Sequence, residues 1–146
     1  MPRPPSIRHD SVDAALSAVG DRWTFLVLRE CFYGVRRFAE FQRNLGIARN
    51  ILSDRLDRLV GNGILERRRY SDHPPREEYR LTEKGLDLYG VTVALMRWGD
   101  RWIVERPALS LTHRADGGAV RQRLECAHCG AELSATDVTY HVHPAE

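Results

Sequence analysis

The chain has 146 residues and a formal charge of +2, enough for one compact domain plus an appendage, with no overall charge bias that names a partner. No stretch reaches the roughly 18 apolar residues of a membrane span, and Met1-Pro2-Arg3-Pro4-Pro5 does not begin a signal peptide, so a cytoplasmic protein with no membrane partner is expected. Three cysteines, Cys31, Cys126 and Cys129, are too few and too unevenly placed for a disulfide framework.

Residues 1–9 are rich in Pro and Arg and read as a flexible arm. Asp10 or Ser11 can cap a first helix with Val12, Ala15, Leu16 and Val19 on its apolar face, and Gly20 ends it. Asp21 can cap a second helix over 22–31, whose Trp23, Phe25, Leu26, Val27 and Leu28 mark the centre of a core. Cys31, at its end, reads as a buried and inert thiol. Gly34-Val35-Arg36-Arg37 is a turn, and Phe38, Phe41 and Leu45 share one face of a short third helix.

Gly46-Ile47 then leads into a fourth helix at the spacing of a helix-turn-helix. Leu52, Leu56 and Leu59 form its apolar stripe, and the opposite face carries Arg49, Asn50, Ser53, Asp54, Asp57 and Arg58. Arg can bond guanine twice, Asn can bond adenine twice, and Ser serves either base. Gly61-Asn62-Gly63 stops the helix. From residue 22 to residue 80 there are 13 Arg against 8 acidic residues, whereas the rest of the chain has 9 basic and 12 acidic ones. The basic excess thus sits with the candidate reading helix.

Residues 64–70 and 77–81 alternate in character around Ser71-Asp72-His73-Pro74-Pro75-Arg76, which predicts a β-hairpin with a rigid tip. Arg76 at the tip suits phosphate contact, and Arg67, Arg68 and Arg69 lie on the first strand. Thr82 caps a long helix expected over 83–105. Its apolar residues, among them Leu95, Trp98, Trp102 and Ile103, spread around more of the surface than one core needs, which predicts packing on a second copy. Pro107 ends it, residues 108–118 read as a loop, and 120–124, 126–130 and 138–142 suggest a small β element. Cys126-x-x-Cys129-Gly130 has the shape of a zinc knuckle, with His141 and His143 as the remaining candidate ligands. A redox pair, or two small apolar residues with no chemistry, fits the same spacing.

The segments Gly20-Asp21-Arg22-Trp23-Thr24, Gly34-Val35-Arg36-Arg37-Phe38-Ala39-Glu40-Phe41, Leu52-Ser53-Asp54-Arg55-Leu56, Gly63-Ile64-Leu65-Glu66-Arg67, Pro74-Pro75-Arg76-Glu77-Glu78-Tyr79-Arg80-Leu81-Thr82-Glu83-Lys84-Gly85 and Trp98-Gly99-Asp100-Arg101-Trp102 occur in that order. Together they resemble the HxlR family of winged-helix transcriptional regulators, relatives of the MarR regulators. The resemblance covers residues 10–102, about two thirds of the chain. It implies dimeric, sequence-specific DNA binding, commonly repression of nearby genes, and often a response to a small molecule or chemical stress. Two departures stand out. Asp10 occupies the place where many members carry a sensor cysteine, and a carboxylate cannot do thiol chemistry. Ala48 replaces a Ser or Thr at the start of the reading helix and offers no side-chain cap.

The expected fold is therefore mainly α within α+β. It comprises an arm over 1–9, a winged helix-turn-helix domain with a long C-terminal dimerisation helix over 10–106, and a loop with a small CxxC-bearing β appendage over 107–146. The expected DNA-contacting residues are Arg36, Arg37, Arg49, Asn50, Ser53, Asp54, Arg55, Arg58 and Arg76. Trp23, Trp98 and Trp102 could line an apolar pocket for a small-molecule effector at the dimer interface. The DNA-binding domain requires no cofactor, and a structural zinc is confined to the tail. No HExxH and no Ser/Cys–His–Asp set is present, so an enzyme is not expected. The competing readings are a small-molecule receptor or a protein-interaction module on a winged helix with weak or no DNA binding.

Overall fold

The computed structural model describes residues 10–143. Its elements are α1 (Ser11–Val19), α2 (Arg22–Phe32), α3 (Phe38–Leu45), α4 (Arg49–Gly61), β1 (Leu65–Asp72), β2 (Pro75–Leu81), α5 (Glu83–Leu86) and α6 (Tyr89–Trp102). One unit spans residues 11–95, and a second begins within α6 at Met96 and includes the tail. The arm expected over 1–9 lies outside the described residues.

In the first unit α1, α2, α3 and α4 contribute to one core and are followed by a two-stranded wing. Val27 and Leu28 of α2, Phe41 of α3, and Leu52, Leu56 and Leu59 of α4 are wholly buried. The leucine stripe of α4 thus faces the core, which turns its polar face to solvent. Asp21 caps α2 by accepting the Thr24 amide at 3.1 Å. Gly46, at φ +61°, supplies the left-handed residue of the turn between α3 and α4. Gly63, at φ +70°, ends α4, where the Ile64 amide reaches back to Leu59 O. As expected, Ala48 gives α4 no side-chain cap.

The hairpin runs closer to its tip than the sequence pattern indicates. Asp72 pairs with Pro75, leaving a two-residue turn at His73-Pro74. Arg76 therefore lies in β2 opposite Ser71, one residue back from the turn.

The long helix is two helices. At the end of α5 the Asp87 amide bonds Glu83 O and the Leu88 amide bonds Gly85 O, a tightening that lets α6 start anew at Tyr89. Gly85 anchors this corner, because a Cβ there would stand 2.2 Å from Ile64 O. Helix α6 stops at Trp102, three residues short of the expected end, where the Ile103 and Val104 amides both reach Gly99 O.

Two further expectations are revised. Helix α1 forms as read, but only Val19 of its apolar face is buried, and Val12 and Leu16 are exposed. In the tail, residues 111–120 are a bridged turn rather than a loop, with Thr112 opposite Ala119. A second bridge joins Glu125 to Glu132, whereas residues 138–142 form no strand. No helix among the described residues is long and apolar enough to cross a membrane.

Candidate nucleic-acid interface

The interface is assembled from α4, the turn before α3, and the wing. Because Leu52, Leu56 and Leu59 are buried, helical geometry places Arg49, Asn50, Ser53 and Asp54 on the outside, and all four are exposed. Arg49 lies at the first turn of α4 with its guanidinium carbon 5.3 Å from the Phe38 ring centre. Arg58 is exposed and pairs loosely with Asp54 one turn away, at 3.6 Å.

Arg55 departs from expectation. Its Nε donates to Asp21 at 3.0 Å and its Nη1 to Asp54 at 2.5 Å, and its side chain is 22% exposed. It is a strut between α4 and the cap of α2, and not a free base-reading group. Helical periodicity could not show this, since Asp21 lies 34 positions away. Burial pushes the Asp21 carboxyl up, but hydrogen bonds from Thr24 and Arg55 outweigh it and hold the group below the usual carboxylate range.

Arg36 and Arg37 are exposed at the start of α3, where the helix dipole also favours an anion. The turn is pinned to the wing in two ways. The Tyr79 amide donates to Arg36 O at 2.7 Å, and the Arg37 guanidinium stacks 4.1 Å from the Tyr70 ring centre. Arg76 is exposed.

The arginine triplet of β1 divides by partner. Arg67 bonds Asp57 of α4 and lies over the Tyr79 ring, so it braces the wing against the reading helix. Arg68 pairs with Glu66 at 2.7 Å and Arg69 with Asp72 at 3.6 Å, both exposed. A further group had no sequence signal: Glu30 is buried on α2 and accepts from Asn44 Nδ2 at 2.9 Å and Arg29 Nη2 at 3.1 Å, tying α3 to α2.

Trp23 packs against the core, whereas Trp98 and Trp102 are 60% and 63% exposed. A cleft of about 450 Å³ beside Leu16, Gly20, Asp21, Arg58 and Asn62 contains none of the three. Burial, with the nearby Glu30 charge, pushes the Cys31 thiol up to about 12, which makes it unreactive at neutral pH. Cys126 is half-buried and Cys129 exposed. Backbone amides of Cys129 and His128 donate to the Cys126 sulfur and hold its pKa below that of a free thiol. Among the described residues no three His, Cys, Asp or Glu side chains converge on one point, so His141 and His143 do not complete a set with the two cysteines.

Known proteins are similar to this chain in sequence and fold. A model of the HxlR-like helix-turn-helix matches residues 18–107. The chain is 51% identical over 132 residues to an uncharacterised HTH-type transcriptional regulator of Mycobacterium tuberculosis, Rv3095, covering 89% of this chain and 84% of that one. It is similar to the crystal structure of PA1607, a candidate transcription factor, with TM-score 0.82 and 33% identity over 90% of this chain and 94% of that one. It is also similar to the redox regulator HypR in its oxidised form, with TM-score 0.58 and 32% identity over 62% of this chain and 94% of that one.

Proposed function

The chain belongs to the HxlR-like helix-turn-helix family, a family of transcriptional regulators and not of enzymes, and from that membership we propose that it is a homodimeric, sequence-specific repressor acting at operators near its own gene. The observation that carries the reading is the solvent-facing stripe of Arg49, Asn50 and Ser53 on α4, opposite the buried leucines. These three read base edges in the major groove. Arg36, Arg37 and Arg76 contact phosphates on either side, and Arg58 extends the contact along α4.

The second copy is supported by the exposed apolar residues of α6 and by Ile103 just beyond its end. Leu95, Trp98, Trp102 and Ile103 are 51–71% exposed, more large apolar surface than one isolated chain normally leaves in water. A two-fold dimer places two reading helices about 34–36 Å apart, one turn of DNA. Such a dimer represses by occupancy alone and needs no surface for polymerase.

The effector is a small molecule or chemical stress. HypR is a redox regulator, but thiol sensing cannot use the start of this chain, where Asp10 stands, or the shielded Cys31.

The test is fluorescence anisotropy on labelled duplexes tiling the DNA upstream of the gene, at two salt concentrations. One tile preferred over a shuffled duplex, with affinity falling steeply at higher salt, is the expected result. No binding at low salt would remove the proposal and favour an interaction module.

A further inference from the structure

Two turns of the tail are built alike, at an offset of 13 residues (His113 to Cys126). In the first, the Gly117 amide donates to His113 O at 2.8 Å, the His113 amide to Gly118 O at 2.7 Å, and the Val120 amide to Leu111 O at 3.0 Å. In the second, the Gly130 amide donates to Cys126 O at 2.8 Å, the Cys126 amide to Ala131 O at 2.9 Å, and the Leu133 amide to Leu124 O at 2.9 Å. One bridge closes each turn, Thr112 with Ala119 and Glu125 with Glu132. Gly117 and Gly130 share φ +73°. His113 and Asp116 therefore stand at the positions of Cys126 and Cys129.

The first turn brings the side chains of its first and fourth residues together. His113 Nδ1 lies 3.0 Å from Asp116 Oδ1. In the second turn Cys126 and Cys129 hold the corresponding first and fourth positions. Two bidentate turns of one ribbon supply the four ligands that tetrahedral zinc takes. The matching first turn has no cysteine, which is why the sequence pattern hides it.

No three such groups converge among the described residues, so the four reach a common centre only if His113 and Asp116 exchange each other for a cation and the turns draw together. That exchange costs little. The two side chains are 63% and 67% exposed, and an exposed ion pair contributes little to stability. Coordination by two thiolates contributes folding free energy outright.

We propose that residues 111–133 form a two-turn ribbon that binds one zinc-class divalent cation through His113, Asp116, Cys126 and Cys129, with His141 and His143 taking no part. One nitrogen, one oxygen and two sulfurs make a borderline-soft set suited to zinc.

The experiment is a cobalt(II) titration of the full chain, followed by the thiolate-to-cobalt absorption band and by back-titration with zinc. The expected result is one cobalt per chain, displaced by zinc. Cys129→Ser removes the band, and His113→Ala with Asp116→Ala weakens binding by more than about tenfold. Asp116→Cys intensifies the band by adding a third thiolate. His141→Ala with His143→Ala titrates like the unmodified chain. Far-ultraviolet circular dichroism confirms that each variant keeps its helices. The proposal is overturned if the unmodified chain gives no thiolate band, if the His141 and His143 changes abolish it, or if the His113 and Asp116 changes leave affinity unaltered.

Discussion

Arg55 Nε lies 3.0 Å from Asp21 Oδ1, the same oxygen that receives the Thr24 amide. One carboxylate thus caps α2 and anchors the reading helix α4. The solvent-facing stripe of α4 is tied to the start of α2 through one side chain.

Replacing Asp21 with Ala should lower the unfolding free energy by about 1–2 kcal/mol, the usual worth of a side-chain cap with a partly exposed ion pair added. Arg55→Ala should cost less, about 1 kcal/mol, because Thr24 keeps its acceptor. The folded-state pKa of Asp21 is depressed, so its contribution is fully present above the unfolded carboxylate value of about 3.9 and is lost as pH falls below it toward the folded value. Urea unfolding at pH 7 and at pH 3 should show a smaller gap between Asp21→Ala and the unmodified chain at the lower pH.

Base reading and phosphate contact separate in a pair of variants. Arg49→Ala should cost about 1–3 kcal/mol on the preferred duplex and little on shuffled DNA. Arg76→Ala should weaken both equally and reduce the salt slope by about 1. Equal losses on both duplexes for Arg49→Ala would remove it from the base-reading set.

The apolar residues of α6 distinguish a dimer from a monomer with a sticky surface. Trp98 and Trp102 are exposed within the chain, so Trp102→Glu should change the stability of the isolated chain by less than about 0.5 kcal/mol. In sedimentation it should convert a dimer to a monomer and abolish tight binding to a two-half-site duplex. An unmodified chain that sediments as a monomer at micromolar concentration would count against the α6 interface.

Cysteine reactivity should divide by position. At pH 8, after chelator treatment, iodoacetamide should modify Cys126 and Cys129 and leave Cys31 untouched until the chain is unfolded, as read by peptide mass spectrometry. Rapid modification of Cys31 in the folded chain would contradict its burial.

Gly85→Ala should destabilise the corner between β1 and α5. The added Cβ would meet Ile64 O at 2.2 Å and Leu81 Cδ2 at 3.0 Å, and backbone cannot yield as a flexible side chain can. A loss of about 1–3 kcal/mol in urea unfolding is expected.

Much of this molecule is local in the chain and therefore legible there. The spacing of Leu52, Leu56 and Leu59 sets which side of α4 is buried, and with it that Arg49, Asn50 and Ser53 face outward. Asp21, Gly46 and Gly63 act within a turn or two of their own positions, so helix ends could be placed from residue type alone. Alternation marks the wing strands, and their ladder continues to Asp72 and Pro75, which shortens the turn between them to two residues.

Tertiary structure decided which polar groups are spent on one another. Arg55 pairs with Asp21 and Arg67 with Asp57, and neither pairing has a signature in local spacing. Glu30 carries no pattern that forecasts its burial against Asn44. Near the division of the long helix into α5 and α6, Gly85 lies against Ile64, a contact between residues 21 positions apart. The likeness of the two tail turns lies in backbone hydrogen bonds, not in shared side chains. Periodicity and turn chemistry are properties of neighbours along the chain, so the sequence alone determines them. Pairing between distant charges is settled only when the buried apolar stripes have fixed how the helices stand against one another.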